Sequence, residues 1–331
     1  MVKKNLQIEY IRAIAAVAVV AIHTVNSGII YKGSTYSEGV IIFFLAIKNL
    51  LYWAVPCFGM ISGMLILNPE KDLSPKKIYG KYFLRMAIVL LLFGTAFSWI
   101  EIFFGEKKLD LSQITRAMGL VLSNKTWAHL WYIYALLTVY LILPIYRWIS
   151  SKKDDFWLVG SAILIFILMT ALKSRTLSLH LYFLLGEIFR RRIVKLSGRQ
   201  SRIIAITSSC LIVLCVYLQS VVSSSLSFLF GYTSILTVIQ SFAIFDILYT
   251  VNYEKIFRKG NRILQEISSK SFGIYLTHMV FVNAEYQGLH LHLMNSYVSI
   301  AIFMFLIVLN LALAYCVSSI IARIPMLNKL V

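Results

Sequence analysis

The chain has 331 residues, of which 59% are hydrophobic and only 14% charged, with a mean hydropathy of +0.79. That apolar share is well above that of an ordinary soluble domain and marks a polytopic membrane protein. The net charge of +18 would suggest nucleic acid in a soluble chain, but in a membrane protein basic residues gather in cytoplasmic loops, so no nucleic-acid partner is inferred.

A helix needs about 20 mostly apolar residues to cross hydrocarbon, and about ten segments meet that template. The first, residues 8–30, follows Lys3 and Lys4 and could be misread as a signal peptide. It keeps Arg12 and His23, and equally apolar segments follow, so it reads as an uncleaved first span. Segments 40–67 and 83–104 come next, joined by the basic linker "SPKKIYGKYFLRM". The stretch "LSQITRAMGLVL" in the loop of residues 105–126 has apolar residues at helical spacing and predicts an amphipathic helix lying at the outer interface. Segments 127–149 and 156–172 lead to the sixth, 177–190, which is short and holds His180 and Glu187. The last four segments are 203–222, 228–250, 271–289 and 296–322, with "SSSLS" at 223–227 read as a loop.

Charge fixes the orientation. With ten spans and a cytoplasmic amino terminus, most Lys and Arg fall on the side that holds both termini. Deleting the sixth segment would export "RRRIVKLSGR" and spoil the pattern, so it is kept as a span. The fold expected is all-α: a polytopic helix bundle of about ten transmembrane helices, both termini cytoplasmic, forming a single domain over residues 1–331. The four cysteines, Cys57, Cys210, Cys215 and Cys316, lie in apolar stretches without a C-x-x-C pair and carry no redox or zinc signal.

Arg12 and His23 are eleven residues apart. At about 100° per residue that separation returns to within about 20° of the same face, over a rise of roughly 16 Å. An intramembrane arginine costs several kcal/mol against lipid, so this face should border a protein-lined cavity, with Glu9 able to pair with Arg12. Two readings stand side by side. Arg12 snorkels to the headgroups while His23 satisfies an interhelical hydrogen bond, or Arg12 greets an anionic ligand whose reactive end reaches His23 as acid or base.

The opening "IEYIRAIAAVAVVAIH" resembles the first span of the integral-membrane acyltransferase family 3, in which an arginine, ten residues and a histidine recur. The resemblance continues in order through "VPCFGMISGMLIL", the basic linker, "HLWYIYALLTVYLILP" and "SKSFGIYLTHMV", covering nearly the whole chain. It implies a ten-helix acyltransferase domain that takes an acyl group, usually acetyl, from cytoplasmic acyl-coenzyme A to an acceptor hydroxyl at or beyond the outer face. Arg12 and His23 occupy the family's paired functional positions. The linker departs from the family's frequent Arg-x-x-Arg, having Lys81 and Arg85 here, and Glu9 stands where Asp is common.

On this reading coenzyme A is a substrate and no cofactor is permanently bound. Its phosphates call for Arg12, Lys81, Arg85, Arg190 and Arg191, all on the cytoplasmic side, and His23 is the proposed base in a direct transfer, with an acyl-histidine relay left open. The acceptor would be a surface polysaccharide or lipid-linked glycan, and His129, Trp131, Tyr134, Tyr275 and His278 are candidates to contact it. Aromatic residues at that depth also form interfacial belts, and His278 also suits a helix-to-helix hydrogen bond. Asp246 and Glu187 read first as partners of nearby arginines, and the "RRR" run as a topology and lipid-anchoring signal. His290 and His292 lack supporting acidic or cysteine ligands, so no metal is expected. The function expected is a bacterial cell-membrane O-acetyltransferase. The competing classes are a transporter or flippase of polysaccharide intermediates and a sensor that has lost turnover.

Overall fold

The computed structural model describes residues 5–106, 110–222, 226–256 and 262–331. Lys3, Lys4, Lys107 and Lys108, and the serines 223–225 of the "SSSLS" stretch, lie outside the described residues. Among the described residues every regular element is helical. In chain order the main helices are α1 (Leu6–Ile30), α2 (Glu38–Leu50), α3 (Ala54–Ile66), α4 (Leu84–Glu106), α5 (Ile114–Leu122), α6 (Trp131–Leu141), α7 (Leu143–Ser150), α8 (Phe156–Leu172), α9 (Arg175–Arg190), α10 (Gly198–Val222), α11 (Ile235–Thr250), α12 (Arg262–Asn283) and α13 (Ser299–Ile321).

Helix stands at each of the ten apolar segments, but they are not equivalent. Among the described residues five stretches are long and apolar enough to cross a membrane: Leu6–Ile30, Glu38–Ile66, Pro75–Phe103, Gly198–Val222 and Ser299–Ile321. Ala128–Leu141 with Leu143–Ser150 makes a sixth if the pair, bent by 59°, is one span. Pro144 sits in the first turn of α7, where its ring and missing N–H break the ladder and cause the bend. Helices α8 and α11 are apolar but have 17 and 16 residues. Helix α9, also 16 residues, carries polar side chains because protein rather than lipid surrounds it: it is buried from Ser178 to Phe189 except at Leu185. His180 there is hydrogen-bonded on both ring nitrogens, to Thr138 and Tyr146 at 2.9 Å each.

Helix α1 starts where the Asn5 side chain accepts the Ile8 N–H at 3.3 Å, and it runs through the middle of the bundle. Its buried alanines, Ala13, Ala15, Ala16 and Ala18 among them, let α3, α12 and α13 pack close. Helix α5 is the amphipathic helix expected in the long loop. It buries Ala117 and Val121 against α4 and leaves Leu122 exposed.

Helices α3 and α9 cross backbone against backbone. A Cβ on Gly63 would lie 1.8 Å from the Phe183 carbonyl oxygen, and one on Gly186 would lie 2.0 Å from that of Met60. Two glycines therefore face two backbones, and no rotamer change could relieve a methyl group at either place. Gly186→Ala is expected to lower the melting temperature of the detergent-solubilised protein by several degrees, the outcome of overpacking by about 1–3 kcal/mol. Gly160→Ala, where a Cβ meets nothing within 4 Å, should leave it unchanged.

Candidate active site

The polar face of α1 borders two cavities. One, of about 510 Å³, opens beside the amino-terminal half of α1 and is lined by Arg12, Ser62, Arg85, Tyr132, Ser268 and Tyr275 among others. The other, of about 340 Å³, opens beside its carboxyl-terminal end, between Asn26, Glu101, Lys125, Trp127, Arg175 and Tyr232. Three side chains, His23, His129 and Trp131, line both. The two volumes are of small-molecule size, and they meet at His23, His129 and Trp131.

Arg12 lines the first cavity together with Glu9, one turn earlier on the same helix, and Tyr132. Arg85 reaches the same cavity from the first turn of α4. Its Nη2 donates to the Leu330 carbonyl at 3.2 Å and its guanidinium lies 5.6 Å from the Phe272 ring. The Arg85 Nε is buried without a hydrogen-bond partner, so the group keeps a free donor.

At the junction three imidazoles gather. His23 lies 5.1 Å from His278 and 6.2 Å from His129, ring centre to ring centre, and the latter two are 5.5 Å apart. His278 is fully buried and its Nδ1 donates to the Ile274 carbonyl at 3.0 Å, which fixes the proton there and leaves Nε2 bare. The ring of His129 makes no well-aligned hydrogen bond, while the Tyr275 hydroxyl donates to its backbone carbonyl at 2.7 Å and holds the residue in place. Among the described residues no group of three or more His, Cys, Asp or Glu is placed to hold a metal ion. His292 is taken up by the Tyr31 carbonyl at 2.8 Å.

The candidates from the sequence thus divide. Arg12, His23, Arg85, His129, Trp131 and Tyr275 line the cavities, and His278 backs His23 from behind. Tyr134 lines neither, since its hydroxyl donates to the Val121 carbonyl at 2.6 Å and ties α6 to α5. Lys81 is exposed on a π-helical turn and lines neither cavity. Arg190 and Arg191 are engaged elsewhere. Arg190 donates twice to the buried Glu187 at 2.7 Å, while Arg191 bonds Glu187 and Asp155 at 2.9 Å each and also donates to the Ser150 carbonyl. Arg192 pairs with Asp246 at 3.6 Å. The arginine run is a clamp on the end of α9.

A family model described as an acyltransferase domain, that of acyltransferase family 3, matches residues 5–319. The chain belongs to this family. No curated protein and no solved structure matches it. The protein is therefore a membrane acyltransferase, and its two cavities meeting at an imidazole suit a reaction between two ligands that arrive from opposite ends. Sequence reasoning overlooked Glu101, Tyr232 and Arg175. Glu101 alone offered a signal, as an acid inside the apolar run of α4. The clamp on α9 yields its own test. Glu187→Ala would leave two arginines without their shared carboxylate and is expected to destabilise this acyltransferase by about 3 kcal/mol or more, read as a drop in melting temperature.

Proposed function

We propose that the protein is an O-acetyltransferase that moves an acetyl group from cytoplasmic acetyl-coenzyme A to a hydroxyl of a bacterial surface polysaccharide or its lipid-linked precursor. The observation that carries this reading is the meeting of two cavities at His23 in a chain of this family. The bias of basic residues toward the side of both termini supports a ten-span topology in the bacterial cytoplasmic membrane, which makes the Arg12 cavity the cytoplasmic one.

Arg12 and Arg85 receive phosphates of the donor through charge-assisted hydrogen bonds, and the thioester extends inward to His23. The acceptor enters from the other cavity with its hydroxyl at the same imidazole. His23 removes the hydroxyl proton as the oxygen attacks the thioester carbon, forming the C–O bond and a tetrahedral oxyanion. His129, whose ring lines both cavities, donates to that oxyanion. Collapse breaks the C–S bond, and the coenzyme A thiolate takes the proton from His23. His278, with its Nδ1 proton held by the Ile274 carbonyl, packs beside His23 and holds its ring in place.

Purified protein in liposomes should release free thiol from acetyl-coenzyme A when acceptor is supplied, and His23→Ala should abolish that release while still binding coenzyme A. Near-normal turnover in His23→Ala would remove it from the mechanism. Arg12→Ala and Arg85→Gln are expected to raise the KM for acetyl-coenzyme A about tenfold, and Arg190→Gln to leave it unchanged. The two aligned cavities also suit a transporter of polysaccharide intermediates; absence of coenzyme A binding would favour that reading.

A further inference from the structure

Taking the transferase reading as given, we infer that the acceptor bears an anionic group, a carboxylate or a phosphate, which Arg175 holds while the sugar ring packs on a ladder of three aromatic side chains. The ladder runs outward from the histidines. Trp131, which lines both cavities, lies 5.4 Å from Tyr232, and Tyr232 lies 4.3 Å from Tyr52. The Tyr182 hydroxyl donates to the Tyr232 carbonyl at 3.0 Å, so the buried α9 fixes the middle rung. Aromatic faces of this kind suit the apolar C–H faces of a sugar.

Arg175 lines the same cavity as Tyr52 and Tyr232. It is the first residue of α9, whose amino terminus adds positive partial charge. Among the described residues Arg175 makes no salt bridge. Two more cations stand by: Lys125 lines the cavity, and the Lys48 ammonium donates to Asn26 in its wall at 3.3 Å. Among the described residues Glu101 is the one acid in the lining, and its carboxylate accepts the Trp127 indole N–H.

Topology does not call for these cations. On the proposed orientation they lie on the side poor in Lys and Arg, where Arg116 is paired with Glu106 at 2.6 Å and Lys32 lies 4.1 Å over the Tyr36 ring. A neutral sugar would make no use of the charges of Arg175 and Lys125, which outnumber the Glu101 carboxylate in the lining. A carboxylate or phosphate supplies a counter-charge, and Arg175 can grip it through two parallel N–H donors. The cavity then sets register as well as affinity, since an anion fixed at Arg175 and a ring on the ladder leave a limited set of hydroxyls in reach of His23.

The test uses the full chain in nanodiscs and the fluorescence of Trp127 and Trp131, which line the cavity. Methyl glucuronoside, glucose 1-phosphate and neutral methyl glucoside are titrated in turn. At least one anionic probe should bind about tenfold tighter than the neutral one, and which of the two does so tells carboxylate from phosphate. Arg175→Gln should bring that probe to parity with methyl glucoside, and Arg175→Lys should restore part of the preference. Equal binding of all three, no saturable binding of either anion, or a preference that survives Arg175→Gln would overturn the inference. Coenzyme A is titrated into the same samples. Its failure to bind would count against the transferase reading and leave the anion preference standing on its own result.

Discussion

An arginine and a histidine on one face of an apolar helix cannot look at hydrocarbon, and the arrangement around α1 answers that constraint. Its polar face needs water or polar ligands along a rise of roughly 16 Å, so the neighbouring helices must stand back there. Elsewhere on α1 the alanines allow them to close in. The two cavities are where the helices stand back. Cavities on a central helix, rather than a groove on the surface, follow from placing the functional residues on the element with the smallest side chains.

The second requirement is rigidity in the helices that supply the cavity walls. Helix α9 meets it in two ways. Its middle is pressed against α3 through Gly63 and Gly186, backbone to backbone, and its end is clamped by Glu187, Arg190 and Arg191 to Ser150 and Asp155. A buried carboxylate with two arginines and a serine has its charge and lone pairs answered, so the group fixes the helix ends without an orphan charge. Arg147 adds to this by donating to the Ile66 and Lys71 carbonyls at 2.8 and 2.9 Å, which closes the carboxyl end of α3. What the rod carries at its other end, Arg175 and the support of Tyr232, is thereby held at a fixed height in the second cavity.

Much of this was legible in the sequence, and the limits have physical causes. Helical periodicity puts Arg12 and His23 on one face, and the structure puts both at cavities, because that relation is local to one helix. The ten helical segments were also readable, since apolar runs and their breaks are local properties. The character of each was less so. A short polar helix such as α9 is tolerated because other helices surround it, and enclosure is not written in its own residues. Arginines read as phosphate ligands were another matter, because Arg191 finds Asp155 across 36 residues and Arg190 finds Glu187 within one turn. Basic residues advertise an anionic partner, and nothing in the run says whether that partner belongs to the ligand or to the chain. Tyr134 belongs to the same class, with its hydroxyl committed to Val121.

A protein that links two faces of a membrane must also avoid short-circuiting it. On the proposed topology His23, His129 and Trp131 are shared walls of two voids, so they stand as a septum where a wide lumen would leak ions. On the proposed reaction only the acyl group crosses the septum, and the proposed donor and acceptor have no need to pass. Electrical insulation and group transfer are then served by the same three side chains. Trimming those side chains would join the two voids and turn the catalyst toward a conductance, and the cell would feel it as a loss of membrane potential.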